Sequence, residues 1–192
     1  TDNPKLAKNY GTNDRMLRYK RIKDYFFMDT FFATTVKGFK STRGHTCCQL
    51  FVMDKGFIYV VPMRLKGDVL AAVKQFAKEI GVPDALICDA AGEQKSNELR
   101  KFCSEIGTTL RWLEEGTPWA NRAELYIGII KEATRKDMKE SSCPLLLWDY
   151  CVERRVRINN LTAKDRFNLH GSNAHTTLTG EEADISNMCK YG

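Results

Sequence analysis

The run Tyr25-Phe26-Phe27-Met28-Asp29-Thr30-Phe31-Phe32 holds a single charge, Asp29, among aromatic and aliphatic neighbours. A carboxylate inside a strand this hydrophobic is expensive unless it is paired or coordinates a cation. The pattern recurs at Ala85-Leu86-Ile87-Cys88-Asp89, which closes just before a glycine-containing turn. A third acid, Glu124, lies three residues beyond Trp119-Ala120-Asn121, near the start of a long helical pattern and 35 positions after Asp89 (124 − 89). Two acids at strand positions and a third on a helix can converge on hard divalent cations.

The surrounding pattern supplies the frame. The first strand is expected at about 24–34. A second, 45–53, and a third, 57–63, are joined by Asp54-Lys55-Gly56, a hairpin signal. Val69, Ala72, Val73, Phe76 and Ile80 recur at helical spacing and predict a helix over 67–80, which Gly81 stops. A short buried strand at 86–89, a helix at 96–106 capped by Ser96 and ended by Gly107, and a strand at 108–113 follow. Two long helices come next, 121–139 and 144–160, the latter with Pro144 near its first turn. The order β-β-β-α-β-α-β-α-α predicts an α/β three-layer fold: a five-stranded mixed sheet flanked by helices. Residues 1–20 read as a basic lead-in, 21–162 as the domain, and 163–192 as a polar, extended C-terminal segment.

With 192 residues, 43% of them hydrophobic, the chain has enough material for one domain of ordinary size. The net charge of +6 suits a polyanionic partner without requiring one. Residues 1–28 carry seven Lys/Arg against three Asp. Seven cysteines, an odd number without a C-x-x-C pair, argue against a disulfide framework and for a reducing compartment. No run approaches the length of a membrane span, and no secretory leader is visible. The chain reads as a piece of something longer.

On the helix that begins at Asn121, about 100° per residue places Gly128, Lys131 and Arg135 within roughly 40° of Glu124. The acid is thus expected on a polar stripe with two cations, and Leu125, Ile129, Ile130 and Ala133 are expected on the opposite side. A carboxylate beside phosphate-binding cations is what phosphoryl transfer needs, although an ordinary amphipathic helix has the same appearance. Three carboxylates can hold two Mg²⁺ about 4 Å apart, one activating water or a 3′-hydroxyl and the other stabilising the leaving oxygen. Hard oxygen ligands suit Mg²⁺ or Mn²⁺, and the lack of histidine near these acids disfavours zinc.

These residues also resemble a family. Asp29, Asp89 and Glu124 with their 35-residue gap resemble the D,D(35)E core of retroviral and retrotransposon integrases, most closely those of copia-type LTR retrotransposons. Cys88-Asp89-Ala90-Ala91-Gly92-Glu93 resembles that group's Asp-x-x-Gly-Glu turn, and Phe102-Cys103-Ser104-Glu105-Ile106-Gly107 its Phe-Cys-x-x-x-Gly helix end. Thr117-Pro118-Trp119-Ala120-Asn121-Arg122-Ala123-Glu124 is similar to its Thr-Pro-x-x-Asn-x-x-Glu loop, and 175–192 to the stretch after the core. The basic cluster usual after the glutamate is replaced here by Leu125-Tyr126-Ile127-Gly128.

The resemblance implies an RNase H-like fold and a metal-dependent polynucleotidyl transferase that joins the 3′-hydroxyl ends of element cDNA to target DNA. It implies Asp29, Asp89 and Glu124 as ligands of Mg²⁺ (or Mn²⁺), and Lys131 and Arg135 on the DNA backbone. Asn121 would shape the loop, and Trp119 would stack on a base or pack on the core. It further implies a homo-oligomer, no membrane association, and action in the nucleus after assembly in cytoplasmic virus-like particles. Two other readings share these residues: an RNase H-like nuclease, and a non-catalytic domesticated module that binds DNA or itself.

Elsewhere, His45-Thr46-Cys47-Cys48 invites a metal, but strand alternation sends neighbouring side chains to opposite faces. They are expected in the core, as are Trp112 and Trp148. Asp54 is expected as a turn residue and Glu93 as a surface acid.

Overall fold

The computed structural model describes residues 19–34, 39–89, 96–113, 122–162 and 171–186. Five strands, β1 (Arg21–Phe32), β2 (Cys47–Met53), β3 (Ile58–Met63), β4 (Val82–Cys88) and β5 (Thr109–Trp112), form one sheet in the order β3-β2-β1-β4-β5. The β1–β2 and β2–β3 pairs are antiparallel, whereas β1–β4 and β4–β5 are parallel. The hairpin is tight because Gly56 takes φ 86, a left-handed conformation that a side chain would strain. The parallel pairs need crossovers. Helix α1 (Val69–Glu79), entered through a 3-10 turn at Lys66–Asp68, supplies one, and α2 (Asn97–Glu105) supplies the other.

Alternation along the strands divides the core in two. Phe26, Met28, Cys47, Phe51 and Val61 face α1 and α2, where they meet Val73, Phe76, Leu99 and Phe102. Phe51 stacks on Phe76 with ring centroids 4.4 Å apart, and Phe26 meets the same ring edge-on at 5.0 Å. Each such pair adds about 1 kcal/mol beyond the area that it buries. On the other face Phe27, Phe31, Cys48, Leu50 and Val52 pack against two long helices, α3 (Arg122–Glu140) and α4 (Trp148–Leu161). The result is the expected α/β three-layer arrangement.

Several boundaries differ from the sequence reading. The first strand starts at Arg21, not 24, and β4 starts at Val82, not 86. The two extensions pair with each other, Arg21 opposite Val82 and Ile22 opposite Pro83. Arg21 is tolerated there because its guanidinium reaches past the end of α2, donating to the carbonyls of Ile106 at 2.8 Å and Gly107 at 3.0 Å. Ser96 caps α2 as expected, accepting from the Leu99 N–H at 3.2 Å. Pro144 precedes a 3-10 turn, Leu145–Leu147, and α4 itself begins at Trp148.

The segment after α4, expected to be extended, contains a short helix, α5 (Ala174–Thr179), opened by an Asn173 cap and closed by Gly180. Ala174 is buried against the α1 side of the core, which is why this part of the chain is held. Cys47 and Cys48 are both buried, one on each face of the sheet, so they share no ion. Trp148 is buried and Trp112 packs at the margin of the core, both as expected. Among the described residues no helix is long and apolar enough to cross a membrane.

Candidate active site

Asp29 lies on β1 two positions from Phe27 and two from Phe31, and therefore on the face that those rings share with α3 and α4. Asp89 directly follows Cys88, whose register partner is Met28, so the two aspartates stand side by side where the β1–β4 pairing ends, β1 itself running on to Phe32 along β2. Glu124 belongs to the first turn of α3, the helix packed on that same face. Asp29 is half-buried, and Asp89 and Glu124 are exposed. Sheet alternation and the crossing of α3 thus bring together three acids that are far apart in sequence.

The electrostatics follow from the geometry. Burial raises the Asp29 carboxyl above the usual carboxylate range, and the charges of Asp89 and Glu124 push in the same direction. The backbone N–H of Thr30, donating to Asp29 Oδ1 at 2.7 Å, and the ammonium of Lys66 oppose them. Thr30 is held in turn: its hydroxyl donates to the Oε1 of Gln49 at 2.6 Å, and Gln49 is fully buried on β2 directly opposite. Lys66 sits in the 3-10 turn before α1 and is the cation that the sequence reading missed.

The donor set suits a hard divalent cation. It is made of carboxylate oxygens, and their mutual repulsion is relieved by positive charge. The neighbouring Cys88 is buried in the core on the opposite face of the sheet, away from these carboxylates, and burial pushes its thiol up to about 12. Among the described residues no three such side chains are gathered tightly enough, as they stand, to enclose an ion.

Lys131 and Arg135 lie along α3 on the Glu124 side, as the helical spacing predicts. Lys131 is half-buried and its ammonium is lowered by burial and by the neighbouring Arg135 charge, so the two cations form one positive patch. The apolar side of α3 differs from expectation. Its buried stripe is Ala123, Tyr126, Ile130, Thr134 and Met138, whereas Leu125 is 61% exposed and Ile129 41% exposed. The cause is rotation: the buried stripe is centred about 100° from Glu124, not opposite it, which leaves Leu125 and Ile129 facing outward.

Arg122 anchors the start of α3. Its guanidinium forms an ion pair with the Asp54 carboxylate in the β2–β3 turn and donates to the Asp54 carbonyl at 3.3 Å. Asp54 is therefore a turn residue that also fixes the helix bearing Glu124. The sequence showed both residues but not their partnership across 68 positions. Trp119, Asn121 and Glu93 lie outside the described residues.

The three-layer arrangement has close counterparts among solved structures. The catalytic core domain of HTLV-2 integrase in complex with magnesium, in its trimeric form, matches with a TM-score of 0.62 at 18% identity over 82% of this chain and 97% of that one. The dimeric form of the same core gives 0.61 at 18% identity over 80% and 94%. The fold is that of a retroviral integrase catalytic core. A simian T-cell lymphotropic virus intasome in complex with the PP2A regulatory subunit B56 gamma gives a TM-score of 0.64 at 12% identity. This chain is covered to 86% there and spans 58% of that longer protein, so the integrase fold occupies part of it. No protein-family model and no curated protein sequence matches the chain. At these identities the likeness establishes the RNase H-like fold, and the chemistry rests on the residues themselves.

Proposed function

We propose that this chain is the catalytic core of an integrase, of the copia-type retrotransposon group, which joins 3′-hydroxyl ends of element cDNA to target DNA. One observation carries the reading: Asp29 within β1 and Asp89 just past the end of the adjacent parallel strand β4 stand on the face where α3 presents Glu124, and the charges of Asp89 and Glu124 act on Asp29. The fold shared with integrase cores, one of them magnesium-bound, supports it.

Two Mg²⁺ or Mn²⁺ ions would supply activation of the attacking hydroxyl and neutralisation of the leaving oxygen. Asp29, held by Thr30, would be the preorganised ligand, with Asp89 and Glu124 closing the set from the surface. Lys131 and Arg135 would hold the DNA backbone about two and three turns beyond Glu124 along α3, as a positive patch does for phosphates. Trp119 and Asn121 would shape the substrate side of the loop before α3. Joining two DNA ends calls for more than one copy of the chain, as in the trimeric, dimeric and intasome forms of the neighbours. The site of action would be the nucleus, reached from cytoplasmic particles.

A disintegration assay on branched DNA tests this reading, because that reaction asks for little beyond the core. The expected result is resealed DNA with Mn²⁺ or Mg²⁺, none with EDTA, and a loss of at least about 100-fold for Asp89→Asn, whose neutral amide binds a divalent cation poorly. Cleavage without resealing would identify a nuclease instead. Activity retained by Asp89→Asn would remove the mechanism altogether.

A further inference from the structure

Helix α3 ends at Glu140 and the chain reverses through Ser141 and Ser142, the latter at φ 51 in the left-handed region. Cys143 follows, its N–H donating to the Met138 carbonyl at 2.8 Å, and Pro144 then leads into α4. Cys151 sits at the end of the first turn of α4. The two sulfurs meet at 3.4 Å across this turn. Both residues are partly exposed, whereas Cys47, Cys48, Cys88 and Cys103 are buried. This thiol pair lies at the far end of α3 from Glu124 and has no part in the proposed chemistry.

We propose that Cys143 and Cys151 form a redox-modifiable site that closes as a reversible intrachain disulfide when a hydroperoxide is present. The sulfurs need to approach by little more than 1 Å to reach the bonded separation of about 2.05 Å, and Cys143 lies in a turn rather than inside a helix. One thiolate attacks the peroxide O–O bond, forming a sulfenic acid and releasing the alcohol or water. The second thiol attacks that sulfur, and its proton leaves with the hydroxyl as water. The two thiols lose two electrons and two protons, and the peroxide takes up both. Burial, together with the neighbouring Cys143 thiol, pushes the Cys151 thiol up to about 11, so the closure speeds up as pH rises. The bond would tie the turn after the Glu124 helix to the start of α4.

The test is peptide mapping of the full, reduced chain after brief treatment with hydrogen peroxide and alkylation, without reductant. The expected product is a Cys143–Cys151 linked peptide, about 2 Da lighter than the two thiol peptides together and restored by dithiothreitol. Reduced protein should also bind phenylarsine oxide, a probe for paired thiols, and Cys143→Ser and Cys151→Ser should each abolish that binding. Sulfinic acid on either residue without a link, or a link from either one to Cys189 or to a buried cysteine, would overturn the proposal. Wild-type mapping decides the matter by itself if a serine variant does not fold.

Discussion

At Asp29 several opposed influences act on one carboxyl. Burial leads in raising it, Asp89 and Glu124 add to that, and the Thr30 N–H and Lys66 lower it. The folded-state value lies above the unfolded one, so the group favours folding while protonated. That contribution is complete below the unfolded pKa of about 3.9 and is lost as pH rises through the folded value. At pH 7 without metal, Asp29 therefore costs stability. Asn would keep an Oδ1 acceptor for the Thr30 N–H and remove the charge. Asp29→Asn should accordingly melt at a higher temperature than the parent in metal-free buffer at pH 7, with the gap closing near pH 3. It should also lose any Mn²⁺-dependent rise in melting temperature, read by calorimetry. A variant that melts below the parent at pH 7 would show that Lys66 and Thr30 already compensate the charge.

The same separation of local from distant causes operates at the level of elements. Strand β3 is the edge of the sheet beyond β2, and an edge exposes backbone groups that invite other strands. Here the side chain of Asn160, near the end of α4, covers it. Its Oδ1 accepts from the Ile58 N–H at 2.9 Å and its Nδ2 donates to the Ile58 carbonyl at 2.6 Å, all of it buried. Asn160→Leu would bury both groups without partners, which costs about 1–3 kcal/mol each. Urea unfolding should show a loss of about 2–4 kcal/mol, and light scattering an increased tendency to associate. A loss under 1 kcal/mol would mean that water reaches Ile58 in the variant.

Nothing in the sequence announces that amide, because Asn160 in a helical pattern reads as a surface residue and its partner stands 102 positions earlier. The elements themselves were legible, since Gly56, Gly81, Gly107 and Ser96 punctuate them locally. The backward extensions of β1 and β4 were not, because charged Arg21 and Lys23 and imide Pro83 look unlike strand until Arg21 is seen on the carbonyls beyond α2. The acids of the site could be picked out because a carboxylate in an apolar run needs a reason. Lys66 and the Arg122–Asp54 pair could not, since a surface cation in a turn carries no such signal until the fold supplies its neighbour.

Over the whole molecule, one buried carboxylate joins segments more than a hundred positions apart. Asp149, fully buried near the start of α4, accepts at Oδ2 from Ser41 Oγ at 2.8 Å and Arg43 Nε at 2.8 Å, with His45 Nδ1 at 2.7 Å. Arg43 continues to Glu153 at 2.7 Å and lies over the Tyr150 ring at 3.9 Å. The Thr42 N–H also donates to the Leu146 carbonyl at 2.9 Å. The segment feeding β2 is thereby fastened to the helix that covers its far face. Burial, the largest single influence, would raise the Asp149 carboxyl, but the bonds from His45, Arg43 and Ser41 together outweigh it and hold the group below the usual carboxylate range.

The folded value is depressed, so this contribution is present above the unfolded pKa of about 3.9 and disappears as pH falls through the folded one. Asp149→Ala should then cost about 3 kcal/mol at pH 7, because Arg43 and His45 lose their shared acceptor while remaining partly buried. The difference from the parent should shrink as the pH is lowered below 4, since acid removes from the parent what the substitution removes from the variant. Urea titrations at pH 7 and pH 3 measure both quantities. An equal loss at the two values would mean that Asp149 contributes by filling space rather than by its charge.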